Sequence, residues 1–105
     1  MNSSNLVSIR DLKRGTKMVA MIDVIISERN KRRKNEVYLW CVDATDPRFE
    51  VIISSNPICV AGAHEGDRVR ISNLIRKRSI LSWVPVLLTT DKSELYEPQI
   101  TWEKT

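Results

Sequence analysis

Residues 36–43, EVYLWCVD, alternate without a break: Val37, Leu39 and Cys41 fall on one side, Tyr38, Trp40 and Val42 on the other. A two-residue period belongs to a strand with one face against a core, because successive side chains of extended backbone point to opposite sides. That stretch demands a sheet, and the rest of the chain supplies partners for it. Residues 17–27, KMVAMIDVIIS, are dense in Val and Ile, which favours a strand over a helix. The single charge there, Asp23, is where a bulge would bend so long a strand. Residues 48–54, RFEVIIS, predict a third strand with Phe49, Val51 and Ile53 inward and Glu50, Ile52 and Ser54 outward. Residues 65–75, EGDRVRISNLI, turn at Gly66-Asp67 and continue as a fourth, with Val69 and Ile71 inward and Arg68, Arg70 and Ser72 outward. Residues 83–90, WVPVLLTT, form the fifth, and Pro85 sets it at least partly on an edge.

The connections are short. Ser8 and Asp11 have the spacing of a capping box and Gly15 stands where a helix would stop, so SIRDLKRG predicts one or two helical turns. DATDP, residues 43–47, is a turn that Asp43 and Asp46 flank and stabilise. SNPICVAGAHEG predicts a short helix, with Asn56 as N-cap, Pro57 at the first position and Gly62 limiting its length. Five strands and no long helix describe a mainly all-β chain, a five-stranded antiparallel barrel with short helical connectors. Side chains fill a barrel this small. Val37, Leu39 and Cys41 suit its interior, while Tyr38 and Trp40, whose polar tips need partners, belong outside.

Composition narrows the function. At 105 residues the chain has one core, and 42% hydrophobic with 29% charged residues describes a folded protein. No apolar run reaches membrane-spanning length and MNSSNLVSIR lacks the apolar stretch of a secretion signal, so cytosol or nucleus is expected. Cys41 and Cys59 belong to no CxxC pair and cannot complete a zinc site with His64, the one histidine. They are expected as buried, reduced thiols, and no cofactor is expected. With no nucleophile beside a base and no Gly-rich phosphate loop, the chain is not expected to be an enzyme.

Charge is unevenly placed. Residues 1–90 carry 15 basic and 9 acidic side chains, residues 91–105 carry 2 and 4, and the net charge is +4. The expected division is therefore a domain over 1–90 and a polar tail or linker start over 91–105. The cations gather in two expected loops: Arg29, Lys31, Arg32, Arg33 and Lys34 in 29–35, and Arg76, Lys77 and Arg78 in 76–82. Such clusters are solvated loop tips, a nuclear-import address (31–34), or walls of a polyanion groove, where each phosphate neutralised releases counterions. The first cluster runs directly into Tyr38 and Trp40. Cations along a backbone with bases stacked on rings is how single strands are held. The competing reading covers Trp40 with the C-terminal segment, by Tyr96 or Trp102. Arg48, Ile52 and Ser54 on the third strand's outward face extend the candidate surface. Trp83, after the second basic run, is either another platform or an edge tryptophan packed on Pro85.

IRDLKRGTKMVAMIDVI, VYLWCVDATD and EGDRVRISNLI together resemble an OB-fold domain of the single-stranded-DNA-binding type. The likeness is first to the telomere-end-binding, protection-of-telomeres group and next to the DNA-binding domains of replication protein A's large subunit, over about residues 6–90. The resemblance implies a Greek-key barrel with ligand across the second and third strands, clamped by the loops at 29–35 and 76–82, the two basic ones. It implies telomeric, G-rich single-stranded DNA as partner, in the nucleus at chromosome ends. Such a domain would serve as a module of a telomere-capping or recombination complex. These families often carry an outward aromatic late in the third strand, where Ile52 and Ser54 stand here. That departure leaves room for an OB domain that binds a protein subunit through the Tyr38/Trp40 face; RNA shares the same physics.

Overall fold

The computed structural model describes residues 5–12, 17–77 and 83–97. After a 3-10 turn at Ile9–Asp11 come β1 (Met18–Arg33), β2 (Glu36–Asp43), β3 (Glu50–Ser55), β4 (Arg68–Lys77), β5 (Val86–Thr89) and β6 (Leu95–Tyr96). The strand order is β1-β2-β3-β5-β4-β6, and β1 also pairs with β4, so five strands close into a barrel. The β3–β5 pairing is parallel and the others are antiparallel. Ile22, Val24, Ile26, Val37, Leu39, Cys41, Val51, Ile53, Val69, Ile71, Leu74 and Leu87 fill the interior. The alternation of β2 is as expected: its odd positions are buried and its even positions half-exposed. Among the described residues no helix is long and apolar enough to cross a membrane.

β1 departs from expectation. It continues for 16 residues through the first basic run, with Arg29 opposite Leu39, Lys31 opposite Val37 and Arg33 opposite Glu36. What was expected as a loop over 29–35 is the outgoing arm of a hairpin whose turn is Lys34-Asn35. The backbone groups of β2 need partners along its whole length, and that demand outweighs the weak strand propensity of the charged residues. The register slips between Ile26 and Glu28 and again between Lys31 and Arg33, not at Asp23. Asp23 sits in regular ladder opposite Arg70, buried, with Arg68 Nε and Nη2 donating to its two oxygens at 3.1 and 2.9 Å.

Other connections differ as well. Ser8 makes no side-chain cap. Asp43, at the end of β2, does that work: Oδ2 accepts the Ile9 amide at 2.9 Å while Oδ1 accepts Thr45 N–H at 2.8 Å and Thr45 Oγ1–H at 2.7 Å. One buried carboxylate thus ties the N-terminal turn to the β2–β3 turn. Gly15 lies outside the described residues. Asn56 Oδ1 accepts Cys59 N–H at 2.8 Å as an N-cap does, yet residues 57–62 run as turns rather than a helix. Cys41 is buried and Cys59 half-buried, both free thiols. β5 is not an edge strand. Pro85 precedes it, where no ladder donor is needed, and its carbonyl accepts Ile52 N–H at 2.9 Å.

In β4 the inward face changes at Asn73, which adopts φ 56° in the left-handed region that Asn tolerates. Val69 and Ile71 point in before it and Leu74 after it. Ser72, expected outward, is buried, its N–H bonded to Glu94 O and its Oγ accepting Glu94 N–H. β5 and β6 run along the same edge of β4, and residues 90–94 leave that edge between them. Asn73 holds this excursion: its carbonyl accepts Thr90 Oγ1–H at 3.0 Å and Ser93 Oγ–H at 2.7 Å, and its amide donates to Lys92 O at 3.1 Å. The sheet therefore extends beyond residue 90, and Leu95 packs against the core.

Candidate nucleic-acid interface

Cross-strand partners share a face, so the ladder assigns the outer surface in rows. One row runs Glu28, Trp40, Ile52, Val86, Lys77 across β1, β2, β3, β5 and β4. The next runs Asn30, Tyr38, Ser54, Leu88, Ile75, Met18, returning to the start of β1. Tyr38, Trp40, Ile52, Val86 and Leu88 are half-exposed, Ile75 and Met18 exposed. The two aromatics of β2 thus open a mostly apolar outer face. Tyr96 lies on β6 opposite Arg70, beyond the 90–94 excursion on the edge of β4 that β5 also uses, and Trp102 lies outside the described residues.

The cations divide by role. Lys31, Arg32, Arg33 and Lys34 are exposed at the tip of the β1–β2 hairpin, and the Arg32 guanidinium lies 4.7 Å from the Tyr38 ring centroid. That geometry is a cation–π contact, which fixes Arg32 beside the aromatic face. Arg29 is turned the other way. Its Nη1 donates to the carbonyls of Val60 and Ala63, each at 2.6 Å, and its backbone amide donates to Glu65 Oε2. It pins the 56–66 connector over the end of the barrel.

The second basic run divides likewise. Arg76 pairs with inward Leu87 and donates to Leu12 O at 3.3 Å, while Lys77 is exposed at the end of the Trp40 row. Both belong to β4, not to a loop; Arg78 lies outside the described residues. Arg48 lies in the turn before β3 and grips Asp46 with two bonds of 2.9 Å. That bonding holds the Asp46 carboxyl below the usual carboxylate range and raises Arg48. Ser54 is buried, donating to Glu36 Oε2 at 3.1 Å. Trp83 is fully exposed, at 102% of its reference area, so it is not packed on Pro85.

The ladder also brings residues that the sequence did not single out. Glu28 on β1 stands opposite Trp40, Glu50 on β3 opposite Val42, and Glu36 opposite Arg33 at the hairpin tip, so carboxylates lie around the aromatic face. Asn30 Nδ2 donates to Glu28 Oε2 at 3.3 Å. Along the Trp40 row charge changes sign, from Glu28 on β1 to Lys77 on β4, and the cationic tip lies beyond Tyr38.

No family model matches the sequence, and no curated protein does. Among solved structures the chain is similar to the OB domain of Ta0387 from Thermoplasma acidophilum, solved by NMR. The TM-score is 0.65 at 22% identity, covering 90% of this chain and 87% of that one. The fold is an OB fold. The closed barrel of β1–β5, with β3 and β5 parallel, is the same architecture reached from the pairing alone.

Proposed function

We propose that this OB domain binds single-stranded DNA across β2, β3 and β5, with Tyr38 and Trp40 as base platforms. Lys31, Arg32, Arg33, Lys34 and Lys77 take the phosphates. The observation that carries the reading is the juxtaposition on β2: two half-exposed rings side by side, with Arg32 already over Tyr38 and three more cations at the same hairpin tip. Trp83, fully exposed two residues before Pro85, substitutes for the aromatic that β3 lacks. The domain acts as a binding module and not an enzyme. The finer assignment, G-rich telomeric 3′ overhangs in the nucleus, rests on the sequence resemblance of residues 9–25, 37–46 and 65–75.

A second reading has its own support. Leu88, Ile75 and Met18 continue the Tyr38 row as an apolar strip, with Met18 75% and Ile75 42% exposed, which fits a protein subunit of a genome-maintenance complex. Tryptophan fluorescence separates the two. A stacked base quenches Trp40 on addition of a short oligonucleotide, and Trp40→Ala removes that component with about 1–3 kcal/mol of affinity. No binding of telomeric, mixed or duplex DNA at low salt would leave the protein-subunit reading in place of the first.

A further inference from the structure

A carboxylate facing a nucleic-acid platform repels phosphate, so its presence needs a reason. Glu28 is the acid paired directly across from Trp40, and it is exposed. Asn30, one rung along the same face, donates to Glu28 Oε2 and so orients the carboxylate while leaving Oε1 open. At the far end of that row stands Lys77. A base lying on Trp40 with its sugar-phosphate on the β3 side turns its opposite edge, the Watson–Crick edge, toward Glu28.

An ionised carboxylate only accepts, and it accepts best from two parallel donors. Guanine is the DNA base with two adjacent donors on that edge, N1–H and the 2-amino group. Adenine and cytosine set a donor beside an acceptor, and thymine sets one donor between two acceptors. Any base but guanine leaves a lone pair against the carboxylate. We propose that Glu28, positioned by Asn30, selects guanine for the base stacked on Trp40. This rests on the single-strand reading above and adds to it a residue that determines base preference.

The test uses short thymidine oligonucleotides carrying one dG at successive positions, their inosine counterparts, which lack the 2-amino group, and all-thymidine controls. Each is titrated by fluorescence anisotropy against the wild-type protein, Glu28→Gln and Glu50→Gln. The wild type binds the best dG oligonucleotide about tenfold tighter than the inosine or thymidine versions, the discrimination expected of a bidentate base contact. Glu28→Gln levels the three while binding thymidine no more weakly than the wild type does, and Glu50→Gln keeps the preference. A guanine preference that survives in Glu28→Gln, or a wild type that binds all three alike, overturns the assignment of Glu28 and leaves DNA binding standing. If the wild type binds no oligonucleotide, both fall together.

Discussion

Asp43→Ala strips three donors of their acceptor at once, and they are not equivalent. The Ile9 amide is buried, so it cannot turn to water, and a buried donor left unmet costs about 1–3 kcal/mol. Thr45 N–H and Oγ1–H lie at a partly exposed turn, where solvent restores most of their bonding. The sum is roughly 2–4 kcal/mol. For a domain whose whole stability is on the order of 5–15 kcal/mol, that is a large share. It lowers the melting temperature by on the order of 10 °C or more. Asp43→Asn retains one oxygen and sets an NH2 group against a donor on the other side, so it falls between, at about 1–3 kcal/mol. Urea unfolding gives the energies, and hydrogen exchange at the Ile9 amide gives the mechanism. If Asp43→Ala unfolds within about 0.5 kcal/mol of the wild type, the carboxylate is not the tie between the two turns. The same holds if the Ile9 amide stays equally protected.

Arg29 and the hairpin-tip cations should respond differently. Arg29→Met loosens the 56–66 connector and lowers stability by about 1–3 kcal/mol, with no change in the salt dependence of DNA binding. Lys31→Ala with Lys34→Ala leaves stability intact and makes log affinity against log salt shallower by roughly 0.7 per lost contact; a slope that changes only in Arg29→Met would reverse the two roles. Cys41 predicts an alkaline effect. Burial pushes its thiol from 9.0 to about 12, so between those values the unfolded chain has lost a proton that the folded one keeps. Stability contributed below pH 9.0 is then lost as pH rises toward 12, at about 1.4 kcal/mol per pH unit. Urea midpoints at pH 8 and pH 10.5 should fall farther in the wild type than in Cys41→Ala, and parallel falls would remove the thiol from the account.

What could be read from the sequence was what local alternation determines. The two faces of β2, the inward set of β3 and the start of β4 follow from side-chain period, and with them the placement of Tyr38 and Trp40 outside the barrel. The site's charges were not legible in the same way, because a bulge reassigns them. From Ile22 to Ile26 the even positions of β1 point in; the slip between Ile26 and Glu28 turns Glu28 outward beside Trp40 and Arg29 inward to Val60 and Ala63. Nothing in SERNKRRK announces where that slip falls. The excursion at 90–94 was equally hidden, since a left-handed Asn73 far away in the chain holds it. Arg48, Ser54 and Arg76 looked available by composition and are engaged by Asp46, Glu36 and Leu12 through contacts that only the folded chain creates.

The parallel seam between β3 and β5 bears on how the molecule assembles. Ile52–Val86, Ile53–Leu87 and Ser54–Leu88 join segments with β4 intervening in the chain, so closing the seam means closing a long loop, the slow kind of step in a β-barrel. Until it closes, β2 and β3 carry Trp40 and Ile52 without Val86 or Lys77 beyond them. The row proposed for the ligand is then incomplete, however well formed its first half. A single strand lying from Trp40 to Lys77 would bridge the seam from outside and hold its two sides together. Occupancy would thereby slow the reopening of the barrel itself.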